Sequence, residues 1–190
     1  IPVNQLQFSN RRDLPEKEWP VADFLKGGGD HLYRNANGKF VEVTKQAGIH
    51  GSLISFGLGV SVGDINGDSY PDIFVSNDSY ERDYLYINQK DGTFKDELED
   101  WMQHTSFSSM GADIADINND GYPDLFTTDM LPVSDYRLKT MGAFDNIDLF
   151  NAKLKAGFYF QYTQTCLQLN NKNGKFADIA NYSGVAATDW

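Results

Sequence analysis

The chain has one cysteine, Cys166, among 190 residues. No disulfide can form within it, and a thiol beside Leu167 in an apolar stretch reads as a small buried hydrophobe. No stretch approaches the ~18–20 apolar residues that a membrane-crossing helix needs. Basic residues are scarce: 16 Lys and Arg stand against 27 Asp and Glu, for a net charge of −11. That balance argues against nucleic acid as a partner, since binding it takes basic stripes. Catalytic signatures are missing too. His31, His50 and His104 show no H-x-x-x-H spacing, and there is no Gly-x-Ser-x-Gly elbow or Gly-Lys-Ser/Thr phosphate loop. His104 near Asp100 reads as a surface or capping histidine rather than a general base. The expectation is a chain without catalysis of its own.

What is present is acid arranged in a pattern. Asp64-Ile-Asn66-Gly-Asp68-Ser-Tyr70-Pro-Asp72 recurs 52 residues on as Asp116-Ile-Asn118-Asn-Asp120-Gly-Tyr122-Pro-Asp124. Each loop puts oxygen-bearing side chains at positions 1, 3, 5 and 9 and runs into an apolar strand. Three carboxylates in one turn repel each other unless a hard cation sits among them. Calcium suits such a site, because it takes six to eight oxygens in flexible geometry. The expected ligands are the side chains of Asp64, Asn66, Asp68 and Asp72 with the backbone carbonyl of Tyr70. In the second loop they are Asp116, Asn118, Asp120 and Asp124 with Tyr122. An EF-hand is excluded, since it needs a 12-residue loop closed by Glu between helices. Position 6 calls for a residue at ease with positive φ, and Ser69 stands there in the first loop where the second has Gly121. The first site is expected to be the more strained.

A longer repeat surrounds the loops. Leu32-Tyr-Arg-Asn35, Leu85-Tyr-Ile-Asn88 and Leu167-Gln-Leu-Asn170 are each followed by Asn-Gly or Asp-Gly and then by Phe40, Phe94 or Phe176. That dipeptide between alternating runs signals a β-hairpin. Gly57-Leu-Gly-Val-Ser-Val62 and Ser109-Met-Gly-Ala-Asp-Ile114 precede the two loops as Gly-rich strands. One unit is thus strand, acidic loop, strand, link, strand, turn, strand. A four-stranded meander repeated at ~40–50 residues predicts propeller blades. The predicted fold class is all-β: a partial β-propeller of four-stranded antiparallel blades with a helical insertion.

The unit from Phe56-Gly57 through Asp64-Ile-Asn-Gly-Asp-Ser-Tyr-Pro-Asp72 to Asp78 resembles an FG-GAP repeat, the calcium-binding blade of integrin α-subunit propellers. It is closer to the bacterial VCBS or FG-GAP repeat proteins, a branch similar to the animal cartilage acidic protein family. The resemblance spans roughly residues 27–190. It implies about seven blades in all, two Ca²⁺ sites on the residues just named, and export to the cell surface. Ser69 departs from the usual Gly, and Gly-Ala-Pro does not close the second strand, which argues against an integrin-like adhesin.

The blade count gives the domain organisation. Residues 1–30 are a loop leading into the first blade, 31–52 the end of a blade, and 53–106 a full blade. Residues 107–183 are a full blade carrying an insertion at 131–162, and 184–190 begin the next. The remaining blades are expected elsewhere in a longer protein. In the insertion, Asp145 is expected to cap a helix with Ile147, Phe150 and Leu154 on its apolar face and Gly157 as its stop. Phe158-Tyr-Phe160-Gln-Tyr162 reads as strand core, or alternatively as a sugar-stacking strip. Sequons occur at Asn77-Asp-Ser79 and Asn181-Tyr-Ser183. Calcium sites of this type fill near millimolar Ca²⁺, outside the cytosol. The expected function is a calcium-binding recognition or scaffold platform for a glycan, peptide or protein at the cell surface. The alternative is an accessory domain of a secreted carbohydrate-active enzyme.

Overall fold

The computed structural model describes residues 12, 16–18, 22, 26–51, 53–78, 80–140 and 147–189. Strand dominates them. A hairpin of β1 (Tyr33–Ala36) and β2 (Lys39–Glu42) comes first, paired from Tyr33↔Glu42 to Ala36↔Lys39. The next sheet is a meander of β3 (Gly57–Gly63), β4 (Asp72–Asn77), β5 (Tyr84–Asn88) and β6 (Phe94–Asp96), antiparallel throughout. A one-turn helix, α1 (Leu98–Trp101), and a short strand, β7 (Thr105–Ser106), lead to the following sheet. That sheet contains β8 (Gly111–Ala115), β9 (Asp124–Thr128), β11 (Cys166–Asn170) and β12 (Phe176–Asp178) in the same meander order. Between β9 and β11 lie helices α2 (Asp135–Thr140) and α3 (Ile147–Lys155) and the two-residue strand β10 (Gln161–Tyr162). Helix α4 (Ala180–Ser183) follows β12 as α1 follows β6. The architecture is the expected one: an all-β partial propeller whose four-stranded antiparallel blades carry a helical insertion.

Alternation places the acidic loops. In an antiparallel meander every second connection falls at the same end of the sheet. The β3–β4 and β8–β9 loops therefore share one end with the hairpin turns after β5 and β11. The inserted helices emerge at the other end.

The inner strands β4, β5, β9 and β11 are buried on both faces, because the two four-stranded sheets pack against each other and against flanking segments. Phe74, Leu85 and Ile87 of one sheet meet Leu125 and Phe176 of the next in a single cluster, closed by Leu98, Trp101 and Met102. On the other face of the first sheet, Val75, Tyr84 and Tyr86 pack with Ile49, Ile73 and Phe94. Glycine permits the closest contact between blades. A β carbon on Gly63 would lie 2.9 Å from Ile114 Cγ2, and one on Gly59 only 3.4 Å from the Gly111 Cα. Ala112 and Ile114 of β8 pack into that shared cluster. The repeat-equivalent residues of β3, Val60 and Val62, are 68% and 61% exposed. This face of β3 has the composition of a blade contact without a blade against it among the described residues.

Three local expectations need correction. Asn37-Gly38 sits at the centre of its hairpin, with φ of +53° and +84°. In the other two hairpins the left-handed residues are instead Lys90 with Gly92 and Lys172 with Gly174. The links are correspondingly longer, closed by Gln89 N donating to Thr93 O and Asn171 N to Lys175 O, both at 2.9 Å. Helix α3 covers the expected stripe only in part: Phe150 and Leu154 are half-buried, with Phe150 stacked on Tyr162, but Ile147 is 68% exposed and the one fully buried side chain is Lys153. The Lys153 ammonium lies 4.0 Å from the centre of the Phe107 ring, a cation–π seat that an apolar pattern cannot reveal. Gly157 does end the helix, with φ +84°, whereas Asp145 lies outside the described residues. Of the aromatic run, only Gln161–Tyr162 is strand; it pairs in parallel with Thr105–Ser106.

Candidate metal centre

Both acidic loops fold into the same hydrogen-bonded knot. In the first, Asp64 Oδ1 and Asn66 Oδ1 both accept from the amide of Asp68, at 2.9 and 3.0 Å. Asp64 Oδ2 accepts from Ser69 N at 2.7 Å, and Asp68 Oδ1 from Tyr70 N at 2.9 Å. In the second, Asp116 Oδ1 and Asn118 Oδ1 accept from Asp120 N, both at 3.0 Å. Asp116 Oδ2 then accepts from Gly121 N at 2.8 Å, and Asp120 Oδ1 from Tyr122 N at 3.0 Å. Shared amides fold each loop inward and draw the Asp, Asn and Asp side chains of positions 1, 3 and 5 to its inside, where the Asn66 and Asn118 Nδ2 groups donate to Asp68 Oδ2 and Asp120 Oδ2.

The position-9 residues, Asp72 and Asp124, are buried where their strands begin. Asp72 accepts from Ile65 N and Asn88 N at 2.9 Å each, so it ties the loop to the third strand of its blade. Asp124 does the same with Ile117 N at 3.0 Å and Asn170 N at 2.8 Å. Burial pushes the Asp72 carboxyl upward, against the lowering effect of these amides. Asp68 ends below the usual carboxylate range. Burial there is outweighed by hydrogen bonds from Tyr70 N, Asn66 and Lys90 acting together. Asp120 is lowered for the same reasons, with Tyr122, Asn118 and Lys172 as the donors.

Among the described residues the carboxylates of neither loop converge as the donor atoms of His104, Cys166 and Asp178 do, so each loop offers its donors without gathering all of them at one point. The donor set of each is oxygen only, with three carboxylates, one side-chain amide oxygen and one backbone carbonyl. That chemistry fits a hard divalent cation of the calcium type. Position 6 is left-handed as expected, with φ +69° at Ser69 and +87° at Gly121. Position 4 is left-handed too, at Gly67 (+75°) and Asn119 (+56°). Each loop therefore has glycine at one of two demanding positions, and Asn119 is a residue that tolerates this region.

Sequence reading missed two sets of residues. Asn88 and Asn170 close the strands ahead of the hairpins: their Nδ2 groups donate to Pro71 O and Pro123 O, while their Oδ1 atoms accept from Lys90 N and Lys172 N. The quoted Leu-x-x-Asn repeat held the signal, since an Asn that ends every third strand is more than a turn former. The other set lies at the opposite end. Buried Arg82 bonds Asp96 Oδ2 at 2.7 Å and Glu99 Oε1 at 3.0 Å, and Arg12 bonds buried Glu81 at 2.9 Å.

His104 meets Asp178, at 3.0 Å, rather than the expected neighbour Asp100. Donor atoms of His104, Cys166 and Asp178 lie within 4.8 Å of one another. The preceding blade explains this cluster without a metal. There His50 Nε2 stands 3.5 Å from Asp96, which occupies the position of Asp178, with Arg82 in place of Gln164 and Tyr84 in place of Cys166. Both carboxylates bond the amide that starts the next helix, Leu98 N at 3.3 Å and Ala180 N at 2.9 Å. The histidine–carboxylate contact is a structural part of the repeat. Cys166 is free and buried, as expected, and burial pushes its thiol well up.

The repeat is also identifiable by comparison. The FG-GAP-like repeat matches residues 21–75 and again 64–127, each match ending in the strand that follows an acidic loop. Two overlapping matches across more than half of the chain, on a blade pair built around two loops of one pattern, make it a member of the FG-GAP-like repeat family.

Proposed function

We propose that the chain binds two Ca²⁺ ions, one in each acidic loop, as part of a non-catalytic β-propeller of an exported or cell-surface protein. The observation that carries this is the duplication of the knot: the same acceptors meet the same amides in both loops, although an insertion separates one loop from its hairpin. Selection for a shared ligand accounts for that identity better than two unrelated turns. In this reading Asp64, Asn66, Asp68, Asp72 and the Tyr70 carbonyl hold one ion. Asp116, Asn118, Asp120, Asp124 and the Tyr122 carbonyl hold the other. The ion neutralises clustered carboxylates and joins the first two strands of a blade. Millimolar Ca²⁺ outside the cytosol suits sites of this kind, hence the proposed export.

The platform would be completed by further blades of the same protein, the first of them covering Val60 and Val62 on β3. Its recognition surface for a glycan, peptide or protein lies at the insertion end. The half-exposed ring of Phe160 there favours the second reading, an accessory module of a secreted carbohydrate-active enzyme, through sugar stacking, whereas Tyr162 is already stacked on Phe150.

Thermal unfolding in calcium and in chelator tests the metal reading. Binding to the folded state alone adds about 1.4 kcal/mol at ten times Kd. Calcium is expected to raise the Tm of the wild type, and Asp120→Ala to remove the second site's share of the rise. A Tm indifferent to chelator contradicts the reading.

A further inference from the structure

An ammonium group is seated on each acidic loop. Lys90 Nζ lies 3.2 Å from Asp68 Oδ2 and 5.3 Å from the centre of the Tyr70 ring. Lys172 Nζ lies 3.2 Å from Asp120 Oδ2 and 5.3 Å from the centre of the Tyr122 ring. Neither lysine belongs to the loop that it touches. Lys90 follows Asp68 by 22 residues and Lys172 follows Asp120 by 52, because the insertion intervenes in the second blade only. Two chance surface pairs would not survive that difference with the same atoms in contact.

The backbone explains how the contact is kept. Both lysines are left-handed, with φ of +68° and +63°, a conformation unfavourable for a long side chain. Asn88 Oδ1 and Asn170 Oδ1 hold them there by accepting their amides, each at 2.9 Å. The same two asparagines are tied to the position-9 carboxylates through their own amides. Loop, strand end and lysine therefore form one unit in each blade. The first hairpin has Asn37 at the corresponding position, and no acidic loop precedes it among the described residues.

We propose that Lys90 and Lys172 are tethered competitors of the metal, and that they set the calcium concentration at which the two sites fill. The inference rests on the calcium reading above. In the metal-free loop the ammonium neutralises the position-5 carboxylate and is steadied by the tyrosine face. A divalent ion entering the cluster needs that oxygen and repels the ammonium, which leaves for water. The lysine side chains are already 49% and 44% exposed, so the exit is open. A monovalent ion brings the loop no more charge than the ammonium it would displace. The exchange thus favours divalent cations and raises the threshold for them.

The test is calcium titration calorimetry, paired with thermal unfolding in chelator and in calcium, on the whole chain and its Lys90→Met/Lys172→Met variant. The repulsion removed corresponds to about a three- to tenfold tighter Kd for the variant, on the order expected for exposed charges a few ångströms apart. Its Tm in chelator should fall, while the rise on adding calcium grows. Lys90→Arg/Lys172→Arg should behave as the wild type. A Kd within twofold of the wild type, or weaker, overturns the proposal, as does an equal fall of Tm with and without calcium. Binding by the variant alone supports it in its strongest form. Binding by neither protein shows that the calcium reading itself is wrong, and the proposal falls with it.

Discussion

Asn170 donates from its side-chain nitrogen to the backbone carbonyl of Ile65, 3.0 Å away in the acidic loop of the neighbouring blade. The same nitrogen reaches Pro123 O of its own blade at 3.1 Å. One buried amide group thus clips the two loops together, whereas Asn88, its counterpart, bonds Pro71 O. Asn170→Ala strands two carbonyls and should cost about 1–3 kcal/mol. Asn88→Ala should cost less. Urea unfolding of both variants in chelator measures the difference, and equal losses would show that the clip carries no energy.

Position 6 of the first loop is strained where the second is not. Ser69 adopts φ +69° without glycine's freedom. Ser69→Gly should stabilise the fold by about 0.5–1 kcal/mol, the relief of the left-handed conformation less the extra freedom of the unfolded glycine. Gly121→Ser should do the reverse by a similar amount. Chemical denaturation with and without calcium checks both signs.

Two buried carboxylates give stability opposite dependences on pH. Burial acts to raise Asp96, but the His50 hydrogen bond and the Arg82 charge outweigh it and hold it at about 2. Its folded pKa lies below the unfolded value of ~3.9, so its contribution is full above about pH 4 and is lost as pH falls toward 2. Asp83 runs the other way. Burial raises it to about 7, so the folded state keeps a proton that the unfolded chain has released. Its contribution is full below about pH 4 and is lost as pH rises through 7. Asp83→Asn should flatten the decline between pH 5 and pH 8, which is on the order of 2–4 kcal/mol. Unfolding curves across that range in chelator provide the check, and an unchanged slope would clear Asp83 of the effect.

Glycine on β3 sets the distance between blades. Gly63→Ala brings its new carbon to 2.9 Å from Ile114 Cγ2 and should cost about 1–3 kcal/mol. Ile114→Ala, which removes that Cγ2, should make Gly63→Ala cost less than it does in the wild type, a coupling readable in a double-mutant cycle. Strictly additive losses would place the strain elsewhere.

The local chemistry of this chain was legible and the long-range chemistry was not. Loop positions 1, 3, 5 and 9, the meander and the strand after each loop follow from spacing within a dozen residues. Partners such as Asn170 with Ile65, or His104 with Asp178, are set by how blades stack, and no local period encodes them. Lys90 and Lys172 stood in plain view beside the Asn-Gly and Asp-Gly dipeptides. Reading those as two-residue turns hid the left-handed lysines. The Lys153 seat was hidden similarly, since the apolar stripe on α3 pointed to Ile147 instead.

Diffraction data from crystals grown in calcium, collected where calcium scatters anomalously, test the central claim most directly. Two anomalous peaks are predicted, one among Asp64, Asn66, Asp68 and Asp72 and one among Asp116, Asn118, Asp120 and Asp124. Water or empty density at both positions, at millimolar Ca²⁺, would contradict the account.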